Sequence, residues 1–397
     1  MSTPNTFGGK AVLTLAHVAG MVDMVALPLW IGALIQHYQY SAPQAGITVT
    51  LFLLGVVVAS VVLAPRFNRL PRRVATAGGF ALAALAFFLA SRQPVAAASF
   101  QMLAALHVLA GLGVGCALSF THGSIGRSAN PHRLFAVANV ALGIFAVFFL
   151  GGVPQLIAAQ GAAMFFNVVW VVMALAAVVT ALAFPSVPET AAAAATRETL
   201  SLVKIPRAAW FAVFVVICLT LNQAMVFSFV ERIGADRGFG ADKVNGVLIA
   251  LGLVNLLPGA LAALLQKKWS PFAVGMGGPI GQAVLALTMT SALTFMPYAV
   301  SAALYVSMVI FTHIFIFGLL SKLDPSGRAV AATPAMMMIG SCIGPALGGA
   351  IVQGLGYPGL GWAACVVSMV AVACVLMARR HMPADTPAAM PAQPAHA

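Results

Sequence analysis

Residues 42–73 read APQAGITVTLFLLGVVVASVVLAPRFNRLPRR. From Ala42 to Ala64 there is no charged side chain, and then Arg66, Arg69, Arg72 and Arg73 arrive together. A helix needs about 20 apolar residues to cross roughly 30 Å of hydrocarbon. The stretch is long enough to span a bilayer. The basic cluster at its end marks the cytoplasmic side, because short loops rich in Lys and Arg stay inside.

The pattern repeats along all 397 residues. Spans are expected near 11–35, 42–64, 74–91, 96–121, 134–158, 162–184, 208–231, 243–265, 272–294, 298–320, 329–353 and 359–378. Composition agrees: 61% of residues are hydrophobic and 7% charged, too little charge for a water-facing surface. With the N-terminus inside, the cytoplasmic segments hold all but four of the 20 Lys and Arg residues; the outer loops hold only Arg92, Arg232, Arg237 and Lys243. The net charge of +12 is therefore topological, suited to anionic lipid headgroups and not to nucleic acid. Cys116, Cys218, Cys342, Cys365 and Cys374 all fall inside expected spans with no CxxC pair, which argues against disulfides and zinc. No cleavable signal peptide is expected, because the first apolar segment is too long for one.

Short loops make neighbouring spans antiparallel. The longest internal gap, 185–207, carries Pro185, Pro188, Glu189, Arg197, Glu198 and Pro206 and divides the spans into six and six. The expected organisation is an N-terminal six-helix bundle over 1–184, a cytoplasmic linker over 185–207, a C-terminal six-helix bundle over 208–381 and a disordered tail over 382–397. The halves look related. Trp30-Ile31-Gly32-Ala33 at the end of span 1 matches Arg232-Ile233-Gly234-Ala235 at the end of span 7, and Gly46 and Gly246 follow early in the next spans. Asn130-Pro131 after span 4 matches Asp324-Pro325 after span 10, each with Arg close behind. The fold class is thus an all-α membrane protein of twelve transmembrane helices in two pseudo-symmetric six-helix bundles, with both termini cytoplasmic. Parallel six-helix repeats of this kind build some secondary transporters.

Three motifs carry a family resemblance. Ala64-Pro65-Arg66-Phe67-Asn68-Arg69-Leu70-Pro71-Arg72-Arg73 stands where the major facilitator superfamily has G-x-L-A-D-R-x-G-R-R between helices 2 and 3. Gly340-Ser341-Cys342-Ile343-Gly344-Pro345-Ala346-Leu347-Gly348-Gly349 resembles the G-x-x-x-G-P-x-x-G-G motif of drug-exporting members, displaced from helix 5 to its repeat equivalent, helix 11. His107-Val108-Leu109-Ala110-Gly111-Leu112-Gly113 resembles the helix-4 pattern R-x-x-x-G-x-G, with His107 in place of Arg. The resemblance implies a transporter whose helices 1, 4, 7 and 10 line a central cavity. It implies conformational or gating roles for Asn68, Arg69, Arg72, Arg73, Gly340, Gly344, Pro345, Gly348 and Gly349. Asn68 replaces the acid that helps to lock the cytoplasmic side in that family, which leaves a neutral hydrogen bond at most. The glycines permit close backbone approach and Pro345 bends the helix, for sliding or for tight packing.

Few polar side chains lie at membrane depth, so they become the site candidates. Asp23 is the carboxyl nearest the middle of a span and is read as the proton-coupling group, with His107 as relay. The alternative for Asp23 is a neutral structural acid bonded to a backbone carbonyl or to His17. His17, Asn222, Gln223, His313 and Glu231 are the substrate-binding candidates, with an interfacial ion pair to Arg232 as the other reading of Glu231. None of the Lys and Arg residues lies in the middle of an expected span, and aromatic residues such as Trp30, Phe145, Phe148, Trp170, Phe227 and Phe229 are available. A neutral or cationic lipophilic solute suits such a site better than an anion. The expected function is a secondary active, proton-coupled transporter of the bacterial inner membrane, exporting a small compound by alternating access. Uptake of a small neutral metabolite by proton symport is the alternative, and a non-transporting membrane sensor is the alternative of another class. No enzyme, cofactor or metal site is expected. The expected partners are a small-molecule substrate, the lipid bilayer and protons, and the expected state is a monomer.

Overall fold

The structure, a computed structural model, describes residues 3–63, 70–94, 99–186, 205–324, 329 and 333–382. Asn68, Arg69, most of the expected linker and the C-terminal tail lie outside the described residues. The chain forms helix after helix: α1 (Phe7–Gly20 continued as Asp23–Gln36), α2 (Ala42–Leu63), α3 (Arg72–Ser91), α4 (Phe100–Ile125), α5 (Pro131–Gln160) and α6 (Ala163–Ala183). After the undescribed stretch come α7 (Arg207–Phe227 continued as Val230–Asp236), α8 (Ala241–Val254 continued as Leu257–Leu265), α9 (Pro271–Ser291) and α10 (Phe295–Leu323). The last helical stretch, Thr333–Arg380, is two spans, α11 (333–355) and α12 (357–380). Gly356 separates them at φ 67°, a left-handed conformation that glycine adopts without steric cost. Tyr357 then reaches Asp236, Ser368 reaches Asn222, and His381 reaches Phe211, so α12 runs back along α7. Among the described residues eleven long apolar helices, the last one divided at Gly356, account for the twelve expected spans.

Local sequence sets several boundaries. Asn130 caps α5 by accepting from the Arg133 amide at 3.0 Å, with Pro131 in the first turn, where its missing N–H costs nothing. Ser270 and Pro271 do the same for α9. Asp324 accepts from the Ala329 amide at 2.8 Å and so ties the end of α10 to the chain beyond the expected Asp-Pro stop. Two breaks interrupt otherwise regular spans. In α1 the turn at Met21–Val22 closes with tighter bonds, Met24 N to Met21 O and Val25 N to Val22 O, both 3.1 Å. In α7 the break falls at Ser228–Phe229.

The N-terminal half packs around Trp30, whose ring lies 5.1–5.6 Å from those of Phe52, Phe87, His107 and Phe165. The C-terminal half is held by two buried tyrosines that donate to the α7 backbone, Tyr298 to Val230 O and Tyr305 to Asn222 O, both at 2.8 Å. The halves meet along three lines. Gly32 of α1 faces Glu231 of α7, Gly46 and Gly349 bring α2 against α11, and Gly143 and Gly252 fit α5 against α8. Measured from the arginine-rich loops, these contacts run from the opposite side of the membrane, called the outer side below, to about its middle.

Close backbone approach also holds each half together. A side chain at Gly111 of α4 would run into the Phe52 carbonyl of α2. Gly111→Val is expected to destabilise by about 1–3 kcal/mol through overpacking. Gly78→Ala, where an added methyl meets nothing within 4 Å, is expected to leave stability unchanged. Thermal unfolding of the two purified variants in detergent checks the contrast.

Candidate transport site

Asp23 opens the second segment of α1, immediately after the break, and is 1% exposed. The backbone amides of Asp23 and Met24 lie against its carboxyl. Its Oδ1 has no hydrogen-bond partner among the described residues. A buried carboxyl oxygen without a partner is costly, so it is a place where a proton, a solute or a water finds a use. The alternative of a bond to His17 is not what the structure shows. His17 Nδ1 instead lies 3.0 Å from Nε2 of His122 on α4, with the rings tilted by 37° and Phe135 of α5 edge-on to both. His17 is therefore turned into the N-terminal half, where its Nε2 lacks a partner.

His107, the expected relay, is hydrogen-bonded at both ring nitrogens in this structure. Its Nδ1 donates to Leu103 O at 2.6 Å, and its Nε2 accepts from Trp30 Nε1 at 3.0 Å. Both ring nitrogens are engaged within a shell formed by Phe87 and Phe166, which leaves none free to pass a proton in this state. The imidazole joins α1 to α4 as a packing element.

In the other half, Asn222 is likewise drawn into packing. Its Nδ2 donates to Ala364 O and Ser368 Oγ of α12, each at 3.0 Å, and its backbone carbonyl receives Tyr305. Gln282 of α9 completes this network by donating to Leu219 O at 3.1 Å and to Tyr305 at 3.4 Å. Gln223, beside it, makes no hydrogen bond among the described residues and is buried at 5% exposure. His313 stacks flat on Phe317 at 5.5 Å and turns a ring nitrogen toward the Val216 carbonyl, while its Nε2 has no partner.

Glu231 is not paired with Arg232. That guanidinium binds Asp236, one helical turn on, at 2.6 and 3.1 Å, and Asp236 also receives the Tyr357 hydroxyl. The Glu231 carboxyl instead fills the notch left by Gly32 of the other half, and its Oε2 has no partner among the described residues. Each half thus contributes, from the broken segment of its first helix, one acid with a buried, unpartnered oxygen: Asp23, itself fully buried, from α1 and the half-buried Glu231 from α7.

The gating candidates separate in the same way. Arg73 donates to the last carbonyls of α6, Ala181 O and Leu182 O, and so closes the end of that helix. Arg72 opens α3. Gly340, Gly344 and Gly348 face α7 at Thr220, Ala224 and Met225, while Pro345 and Gly349 face α2. The glycine motif therefore has two faces, one within its own half and one between the halves.

Three partners were missed in the sequence. His122 lies just past the expected end of span 4, and a span drawn to Ile125 would have included it. Gln282 lies in span 9, outside the four helices expected to line the cavity, and Tyr305 in span 10 stands out only when tyrosine hydroxyls are searched along with the other polar groups.

Comparison with known proteins agrees with this architecture. The family model of the Major Facilitator Superfamily matches residues 12–325. No curated protein matches the chain significantly. Among solved structures, a D-xylose-proton symporter superposes with a TM-score of 0.72 over 95% of this chain and 98% of the other, at 16% identity. At that identity the likeness speaks for the fold alone. With twelve spans in two related halves and a family model over most of its length, the chain belongs to the Major Facilitator Superfamily of membrane transporters.

Proposed function

We propose that this transporter couples the movement of a small neutral or cationic, lipophilic solute to protons, and that Asp23 takes up the proton. The observation that carries the reading is the Asp23 carboxyl: buried, at a helix break, with one oxygen unpartnered. Low dielectric penalises a charge there, so binding or losing a proton changes the relative free energy of two conformations that solvate Asp23 differently. Gln223, His313 Nε2 and Glu231 Oε2, three of the other polar groups without a hydrogen bond among the described residues, are the contacts assigned to the solute. No Lys or Arg occupies the middle of a span, which fits a solute without strong negative charge. Export from the cytoplasm through the bacterial inner membrane, by a monomer exchanging solute for protons, is the leading version. Uptake of a neutral solute with protons is the second, favoured by the likeness to the fold of a D-xylose-proton symporter.

A thermal-shift screen of the purified protein against neutral and cationic compounds should identify the solute. A ligand at 100 times its Kd stabilises a protein by about 2.7 kcal/mol. In proteoliposomes, Asp23→Asn is expected to abolish accumulation driven by a pH gradient while leaving solute exchange intact. Unchanged gradient-driven accumulation would remove Asp23 from the mechanism. Glu231→Gln is expected to weaken apparent solute affinity roughly tenfold, about 1.4 kcal/mol, with coupling retained. Loss of coupling in Glu231→Gln would transfer the proton-binding role to Glu231.

A further inference from the structure

The α2–α11 seam contains a contact that neither the glycine motif nor the proton reading uses. The two helices run antiparallel with their backbones touching. A methyl added at Gly349 would overlap the Ala42 carbonyl, and one at Gly46 would overlap the Pro345 carbonyl. One turn deeper, toward the middle of the membrane, the seam reaches Thr50. Its Oγ1 donates to Cys342 O at 2.7 Å and accepts from the Ala346 amide at 3.1 Å. In return the Cys342 thiol lies 3.7 Å from Thr50 O, to which it donates.

Cys342 O and Ala346 N are no arbitrary pair. Four residues apart, they are each other's natural partners in the hydrogen-bond ladder of α11. Pro345 lies between them and has no N–H to give to Ser341 O, so the ladder is already weakened at this level. A hydroxyl that gives to the carbonyl and takes from the amide can stand between the two without leaving either unsatisfied. Insertion of a side chain into the ladder is one of the few recognised causes of a helix bend. When α2 withdraws, the carbonyl and the amide can close on each other again. Both arrangements keep the backbone satisfied in hydrocarbon, so the contact can be made and broken within a transport cycle.

We propose that Thr50 is a positioning residue of that cycle: its hydroxyl splices α2 into the backbone of α11 beside Pro345 and holds the outer mouth closed. The inference rests on alternating access, which requires the outer contacts between the halves to part, and not on the identity of the solute or of the proton site. Thr50 lies nearest the membrane centre of the three steps in the seam. It is therefore the last of these three contacts to be lost as the mouth opens from outside.

The native Cys342 thiol, 8% exposed and shut within the seam, reports the opening. In right-side-out vesicles with no solute and no pH gradient, a membrane-impermeant maleimide is added outside, and mass spectrometry follows modification of Cys342. Thr50→Val keeps the shape and removes the hydroxyl; it is expected to raise the Cys342 labelling rate several-fold over wild type. Thr50→Ser restores the hydroxyl and is expected to return the rate close to wild type. Equal rates in Thr50→Val and wild type, with the melting temperature of the variant unchanged, would overturn the proposal. So would a rise in Thr50→Ser matching that in Thr50→Val, since packing and not the hydroxyl would then be responsible. If Thr50→Val fails to fold, Thr50→Ala is judged by the same criteria. Neither solute nor proton gradient enters the measurement, so its failure leaves the role of Asp23 standing, and loss of that role leaves this result untouched.

Discussion

Hydrocarbon offers no water to an open N–H or C=O, and this one constraint organises the molecule. It makes every span a helix and requires each departure from helix to be faced by protein. The interruptions of α1 and α7 obey it. Val22 and Asp23 at the first, and Ser228, Phe229 and Val230 at the second, are buried. The carbonyl of Val230 beside the second break is taken up by the Tyr298 hydroxyl. Beside Pro345, a threonine from the opposite half hydrogen-bonds to the Cys342 carbonyl and the Ala346 amide of α11.

The polar side chains at membrane depth divide by whether their hydrogen bonds close. His107 is fully engaged and buried among aromatic rings, and it acts as a rivet between α1 and α4. Asn222 is divided: its Nδ2 is committed to α12, while its Oδ1 has no partner among the described residues. Asp23, Glu231 and His313 each keep an atom without a partner, and they are distributed over both halves. A transporter needs such groups, because a solute or proton has to gain at the centre something that the resting protein does not already satisfy. Groups that are satisfied contribute rigidity, which lets each half move as a body.

Much of the fold was legible because it depends on properties averaged over about 20 residues. Span lengths, the arginine bias and the match of Trp30–Ala33 to Arg232–Ala235 all survive errors of a few positions. The site was less legible because it depends on which side chains meet. Nothing near His17 announces His122, which lies 105 positions away. Thr50, in the middle of an apolar run, reads as one more small residue until α11 is laid beside it. One miss was avoidable: Arg232 and Asp236 are four apart on a helix, a spacing that favours their pairing and leaves Glu231 alone.

The reversal at Gly356 takes a single residue and leaves no slack between the last two helices. Any swing of α11 is handed directly to α12, which lies along α7 from Asp236 down to Phe211. At the far end of that lever stand Arg379 and Arg380, both exposed, at the end of the helix expected to face the cytoplasmic headgroups. If α12 tilts with α11, the depth of these two cations changes with it, and anionic lipid beneath them would then favour one tilt over the other.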